Sequence, residues 1–322
     1  RDLRMSRGLG DVYKRQTLAL AAIAYSYSRF SGLKASITTD VVQLCIILMG
    51  GALLVVLSLR MTGGFETVLN GLGSVTGEYN SLTSATGMEV LLGYGLPMAV
   101  GLISGPFGDQ CFWQRTFAIR RDRIGRAFFV GALLFALVPL CMGTVGFLAA
   151  GSGFVASDTG MVNFEFVSSL LPAWVLVPFL FMIISGLLST VDSNLCAAAS
   201  LTTDWLGIGK DTVQTSRRTM LCLLIVAIAI ANIPGLTVTY LFLFYGTLRA
   251  STLLPTVMTL LGKKLTGKGV FAGVLTALCV GLPIFAYGNL AGIPAVKAAG
   301  SLTTVLSSGL VAVIASRKAV KA

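Results

Sequence analysis

Residues 171–200 read "LPAWVLVPFLFMIISGLLSTVDSNLCAAAS". The stretch is long and apolar enough for a helix that crosses a bilayer. Near its end, Ser189, Thr190, Asp192 and Ser193 fall within a turn and a half of helix. A carboxylate in lipid costs a few kcal/mol on insertion scales and is awkward even in a soluble core. The reading is therefore a membrane helix whose polar turn has a task.

The whole chain supports a membrane class. Hydrophobic residues make up 55% of it, charged residues 11%, and the mean hydropathy is +0.85. Soluble domains carry about 25% charged residues. At 322 residues there is room for about 8 to 10 spans. Apolar windows place nine, at about 17–28, 38–60, 87–107, 127–151, 172–197, 219–235, 237–261, 269–289 and 299–316. The expected class is an all-α polytopic membrane protein. Residues 1–16, "RDLRMSRGLGDVYKRQ", stand apart: they are dense in charge and resemble translated adaptor sequence. They are set aside, and 17–322 is read as a membrane domain, a fragment of a longer natural protein.

The net charge of +11 does not point to nucleic acid, because its placement accounts for it. One set of connections carries Arg29, Lys34, Arg115, Arg120, Arg121, Arg123, Arg126, Lys210, Arg217, Arg218, Lys263, Lys264, Lys268, Arg317, Lys318 and Lys321. The alternating set carries Arg60 and Lys297. Cytoplasmic loops hold the excess of Lys and Arg, so the first set is expected inside, with a cytoplasmic C-terminus. A bacterial inner membrane is the expected location. Six scattered cysteines show no paired spacing, so no disulfide framework or zinc site is read. Histidine is absent, and no nucleophile sits beside a base. An enzyme, a transition metal and an organic cofactor are therefore not expected.

Four ionisable residues fall in or beside spans: Asp40, Asp109, Asp192 and Arg249. Asp40 and Asp192 are expected at similar depth in the cytoplasmic half. With Ser189, Thr190 and Ser193 they form an all-oxygen set of the kind hard cations take. Two plainer readings stay open: Ser and Thr bonding back to their own helix, and Asp40 as an interfacial residue near Lys34. The third span contains "GYGLPMAVGLISGPFGDQCFWQR", residues 93–115. Its Gly and Pro density suggests a discontinuous helix near the midplane, with Gly105, Asp109, Gln110, Phe112 and Trp113 around a ligand or gate. A Pro-kinked helix packed through small residues is the alternative. Arg249 is a charge partner for Asp192 or Asp109, a contact for an anionic solute, or the sign of a misplaced span boundary.

Three motifs resemble those of the sodium:solute symporters: "SGLKASITTDVVQ" (31–43), "DQCFWQR" (109–115) and "GLLSTVDSNL" (186–195). They occur in that family's order, separated by the right number of spans. The resemblance implies a LeuT-type five-plus-five inverted repeat. This chain would hold part of core helix 4, core helices 5 to 10 and two peripheral helices, with core helices 1 to 3 outside the sequence. It implies Na⁺-coupled uptake of a small polar solute, of sugar, amino acid or carboxylate class, through the lipid bilayer. Gly186, Ser189 and Thr190 would contribute to the principal Na⁺ site, and Asp40 with Thr190, Asp192 and Ser193 to a second. Proton coupling on the same fold is the alternative, and a ligand sensor without transport is a third.

Overall fold

The structure, a computed structural model, describes residues 2–207, 212–233 and 238–321. Lys210, one of the expected cytoplasmic cations, lies outside the described residues, as do Arg1 and the side chains of Lys318 and Lys321. Among the described residues, helices are joined by turns and short loops, with no strand. In chain order the helices are α1 (Asp2–Ser31), α2 (Leu33–Thr62), α3 (Phe65–Asn70), α4 (Ala85–Val90), α5 (Leu96–Gly108), α6 (Gln110–Ala118) and α7 (Ile124–Gly151). Then come α8 (Val162–Leu170), α9 (Leu176–Leu206), α10 (Thr212–Ala231), α11 (Val238–Leu260), α12 (Gly267–Thr276), α13 (Leu282–Leu290) and α14 (Pro294–Lys321). One π-helical turn, Leu91–Gly95, joins α4 to α5, and another, Ala277–Gly281, joins α12 to α13.

Among the described residues, eight helical stretches are long and apolar enough to cross a membrane. The protein is an integral, multi-pass membrane protein. The ninth expected span, 17–28, lies within α1 and is not among the eight. Its apolar run is short and is bounded by Lys14 and Arg15 on one side and Arg29 on the other.

The helices fall into two compact units. The first comprises residues 1–80 and 116–233. In it α9 packs against α2, α10 and α1, and α7 packs against α2 and α3. Leu54 of α2, Val145 and Leu148 of α7, Val167 of α8 and Phe179 of α9 form its buried apolar cluster. Burial of one such side chain contributes about 1.5–3 kcal/mol in water. Between helices in lipid that term fades, and close packing takes over.

The second unit comprises residues 81–115 and 234–322. Here α11 packs against α5, and α14 lies along α12 and α13. Close backbone approach is the organising device. A Cβ added at Gly101 would meet the Gly246 Cα at 2.8 Å, so α5 and α11 cross on two glycines. At Gly273 an added Cβ would come 2.2 Å from the Ser308 carbonyl oxygen of α14. Thr247 and Ser301, both buried, share a hydroxyl contact of 3.3 Å between α11 and α14.

Candidate functional site

The polar turn of α9 sits against the first turns of α2. Ser36, Thr39, Asp40 and Gln43 recur at helical spacing along α2, which sets them on one face. Ser189, Asp192 and Ser193 do the same on α9. Ser189 Oγ donates to Asp40 Oδ1 at 2.5 Å, and Thr39 Oγ1 donates to Asp192 Oδ2 at 3.3 Å. Ser193 Oγ donates to Asp192 Oδ1 at 3.2 Å and lies 3.4 Å from Ser36 Oγ. Asp192 is fully buried. The charged neighbour acting on it is Asp40, a second carboxylate. Two acids and four hydroxyls thus share one place, held by two helices. That arrangement can hold a small cation or a proton.

Thr190 and Gly186 stand apart from this cluster. Thr190 is exposed, and its hydroxyl donates to the Gly186 carbonyl at 2.9 Å. Of the three hydroxyls expected to converge, Ser189 and Ser193 do, and Thr190 turns back to its own helix, as Thr residues often do. Ser36 and Thr39 were missed by the sequence reading. Their signal was the spacing to Asp40 and Gln43 on one face of α2. Tyr27 was missed as well. Its hydroxyl is buried beside Asp192, Gln43 and Asp40.

The second candidate cluster lies wholly within the second unit. The expected break in the third span comes at Asp109, not at the midplane. The helix runs on through Gly101, Gly105 and Pro106, because Gly101 serves the crossing with Gly246. Asp109 is extended, with φ −111° and ψ 119°, and separates α5 from α6. Both sides of the break are satisfied. Asp109 Oδ1 accepts from the Cys111 amide at 3.0 Å, and Trp113 Nε1 donates to the Phe107 carbonyl at 3.1 Å. Free carbonyls at a helix end need such partners. Trp113 is therefore a brace for the break.

Arg249 pairs with Asp109: Nη1 to Oδ2 is 3.4 Å, with both side chains nearly nine-tenths buried. Tyr245 Oη donates to the same carboxylate oxygen at 3.1 Å, and the guanidinium lies 4.4 Å from the Tyr245 ring centroid. Gly105 leaves the guanidinium its room, since an added Cβ would approach Nη1 to 3.2 Å. Phe112 lies at the edge of this notch, and Gln110 opens α6. Burial and the Asp109 carboxylate push the Cys111 thiol up to about 12, so it stays protonated at neutral pH.

Comparison with known proteins bears on the whole chain. The sodium:solute symporter family profile matches residues 5–277. The urea-proton symporter DUR3 of Oryza sativa subsp. japonica is 24% identical over 272 residues. That alignment covers 74% of this chain and 36% of the relative, so the chain spans about a third of that protein's length. No solved structure matches. A profile match of this extent takes in both carboxylate-bearing helices, α2 and α9, and the broken α5–α6 pair, and the chain belongs to the sodium:solute symporter family.

Proposed function

We propose that this chain is part of a secondary active symporter that takes up a small polar solute with Na⁺ held at the α2–α9 cluster. The observation that carries the reading is Asp192, a fully buried carboxylate whose neighbours are hydroxyls and a second carboxylate. A buried charge is normally paired or bound to a cation. Ser36, Thr39, Asp40, Ser189, Asp192 and Ser193 supply the oxygen ligands that a hard cation takes. Gly186 and Thr190 offer a carbonyl and a hydroxyl on the exposed side of α9, where the family resemblance expects the principal Na⁺ site. The solute is assigned to the notch of Gly105, Asp109, Gln110, Phe112 and Arg249, braced by Trp113. Na⁺ and solute then raise each other's affinity through one coupling free energy. The membrane potential adds about 2.3 kcal/mol per charge per 100 mV. The positive-inside distribution supports a cytoplasmic C-terminus, and a bacterial inner membrane is the proposed location. The protein acts as a transporter and not as an enzyme.

Proton coupling is the second reading. Two adjoining carboxylates can share a proton where both cannot ionise, and the rice relative is named a urea-proton symporter. The test is solute uptake into proteoliposomes under an inward Na⁺ gradient at uniform pH, and under an inward pH gradient without Na⁺. Urea is the first solute, followed by amino acids, sugars and small carboxylates. Accumulation that needs Na⁺ supports the first reading. Accumulation driven by the pH gradient alone replaces it with the second. No accumulation under either gradient counts against symport of the solutes tried and favours a ligand sensor.

A further inference from the structure

We propose that Arg120, Arg121, Arg123 and Arg126, at the start of α7, form a binding site for the phosphate headgroup of an anionic phospholipid. The inference is independent of the ion and solute sites and holds for either coupling reading. The four arginines fall within "RRDRIGR", residues 120–126. A tight turn, Arg121–Arg123, closed by the Arg123 amide donating to the Arg120 carbonyl at 2.8 Å, leads directly into α7 and keeps the four together. A single acid answers them. Asp122 accepts two hydrogen bonds from Arg120, Nε to Oδ1 at 3.2 Å and Nη2 to Oδ2 at 3.1 Å, and lies 3.4 Å from Arg123 Nε. Arg121 and Arg126 are exposed and have no carboxylate partner among the described residues.

Helix stability does not account for this concentration of charge. Cations in the first turn of a helix oppose its macrodipole, and the first turn of α7 holds no acid to offset them. Packing does not account for it either, since little of the apolar stretch of α7 is buried. Phe117 and Phe129, which flank the cluster in sequence, are 81% and 66% exposed. The cluster therefore sits at the end of a membrane helix, between exposed aromatic side chains, at the depth of lipid headgroups. Groups of about four to eight Lys and Arg just cytoplasmic of a membrane helix attract anionic lipid. A guanidinium meets a phosphate through two parallel hydrogen bonds. Arg121 and Arg126 offer that edge, whereas Asp122 already takes it from Arg120. The competing explanation is that the arginines only fix the orientation of the span during insertion.

Photo-crosslinking of a phosphatidylglycerol analogue to the purified protein in phosphatidylcholine membranes, mapped peptide by peptide, separates the two. In the wild type, label is expected on residues 117–129. Unlabelled phosphatidylglycerol should compete it away, and neither phosphatidylcholine nor inorganic phosphate at constant ionic strength should do so. Arg121→Gln and Arg126→Gln are each expected to weaken binding about fivefold, read as the phosphatidylglycerol concentration that halves the label. Arg120→Gln, whose charge Asp122 already answers, should weaken it less, and Asp122→Asn should strengthen it. Label confined to other segments of the wild type overturns the inference, as does label that phosphatidylcholine removes equally well. Removal by inorganic phosphate overturns the lipid assignment in favour of a soluble anion. Unaltered binding in the Arg121→Gln/Arg126→Gln double variant also overturns the inference and leaves orientation as the arginines' role. The orientation of each variant is checked by protease access to its C-terminus. Where the glutamine variants insert the wrong way round, Asp122→Asn decides, since it keeps every arginine; binding no tighter than in the wild type then overturns the inference.

Discussion

Asp109 and Asp192 are both acids at apolar helices, and their neighbours differ in kind. Asp109 has Arg249 at 3.4 Å, the Tyr245 hydroxyl on one oxygen and a backbone amide on the other. Its charge is answered within the protein. Asp192 is more deeply buried, yet it meets two hydroxyls from Thr39 and Ser193 and a second acid, Asp40. Nothing on that list cancels its charge. A closed pair is finished when the chain folds, whereas a pair of acids lined by hydroxyls is finished only when a cation or proton arrives. The difference separates a charge that positions helices from one that works.

The comparison predicts opposite responses to neutralisation. Arg249→Gln leaves Asp109 buried without its cation, a change that costs about 3–5 kcal/mol. The melting temperature of the purified protein should fall sharply. Adding Asp109→Asn to that variant should recover part of the loss. Asp192→Asn removes a buried charge that had no counter-charge, so without Na⁺ the melting temperature should hold or rise. Ion-driven uptake should be lost, since an intramembrane carboxylate of this kind marks the ion pathway. If Asp192→Asn melts as low as Arg249→Gln, the distinction between the two clusters is wrong.

Neighbouring positions on α9 give a finer test. Ser189 Oγ donates to Asp40, while the Thr190 hydroxyl is tied to the Gly186 carbonyl on the exposed side. Ser189→Ala leaves Asp40 short of a donor, worth about 1–3 kcal/mol, and the Na⁺ concentration for half-maximal uptake should rise about tenfold. Thr190→Ala should raise it less. An effect at 190 equal to that at 189 would place the ion on the exposed side of α9 and shrink the role of the carboxylate pair.

Much of this could be read from the sequence, and the gaps have physical causes. The spans were legible because lipid demands long apolar runs, and these end at charged loops. The α9 polar turn was legible because an acid in such a run has no ordinary explanation. The partner of Arg249 stayed open, since charge alone does not say which of two acids a helix will face. Gly101 adds to the glycine density that suggests a midplane break, because a glycine that lets helices cross looks the same in sequence as one that ends a helix. Thr38 and Thr39 show why hydroxyls are hard to assign. Both bond back to their own helix, and Thr39 additionally reaches Asp192. Tyr27 carried no signal, lying in a short run that did not look like a wall of anything.

A third acid gives the mildest test. Glu165, at the start of α8, is partly exposed and accepts from the Ser157 amide at 2.8 Å and from the Ser157 hydroxyl. These donors hold its carboxyl below the usual range, the hydroxyl acting most strongly. A depressed carboxyl stabilises the folded loop above the unfolded value, about 4.3 for Glu. That contribution is lost as pH falls through the lower folded value. Water can replace the Ser157 donors at this surface. Glu165→Gln should therefore leave uptake unchanged at neutral pH, with at most faster amide exchange around residues 157–160. The donors resemble those at Asp192, and solvent is what differs. A large uptake defect in Glu165→Gln would mean that hydroxyl contacts matter as much in water as in the buried cluster, and burial would no longer explain why Asp192 is the acid that works.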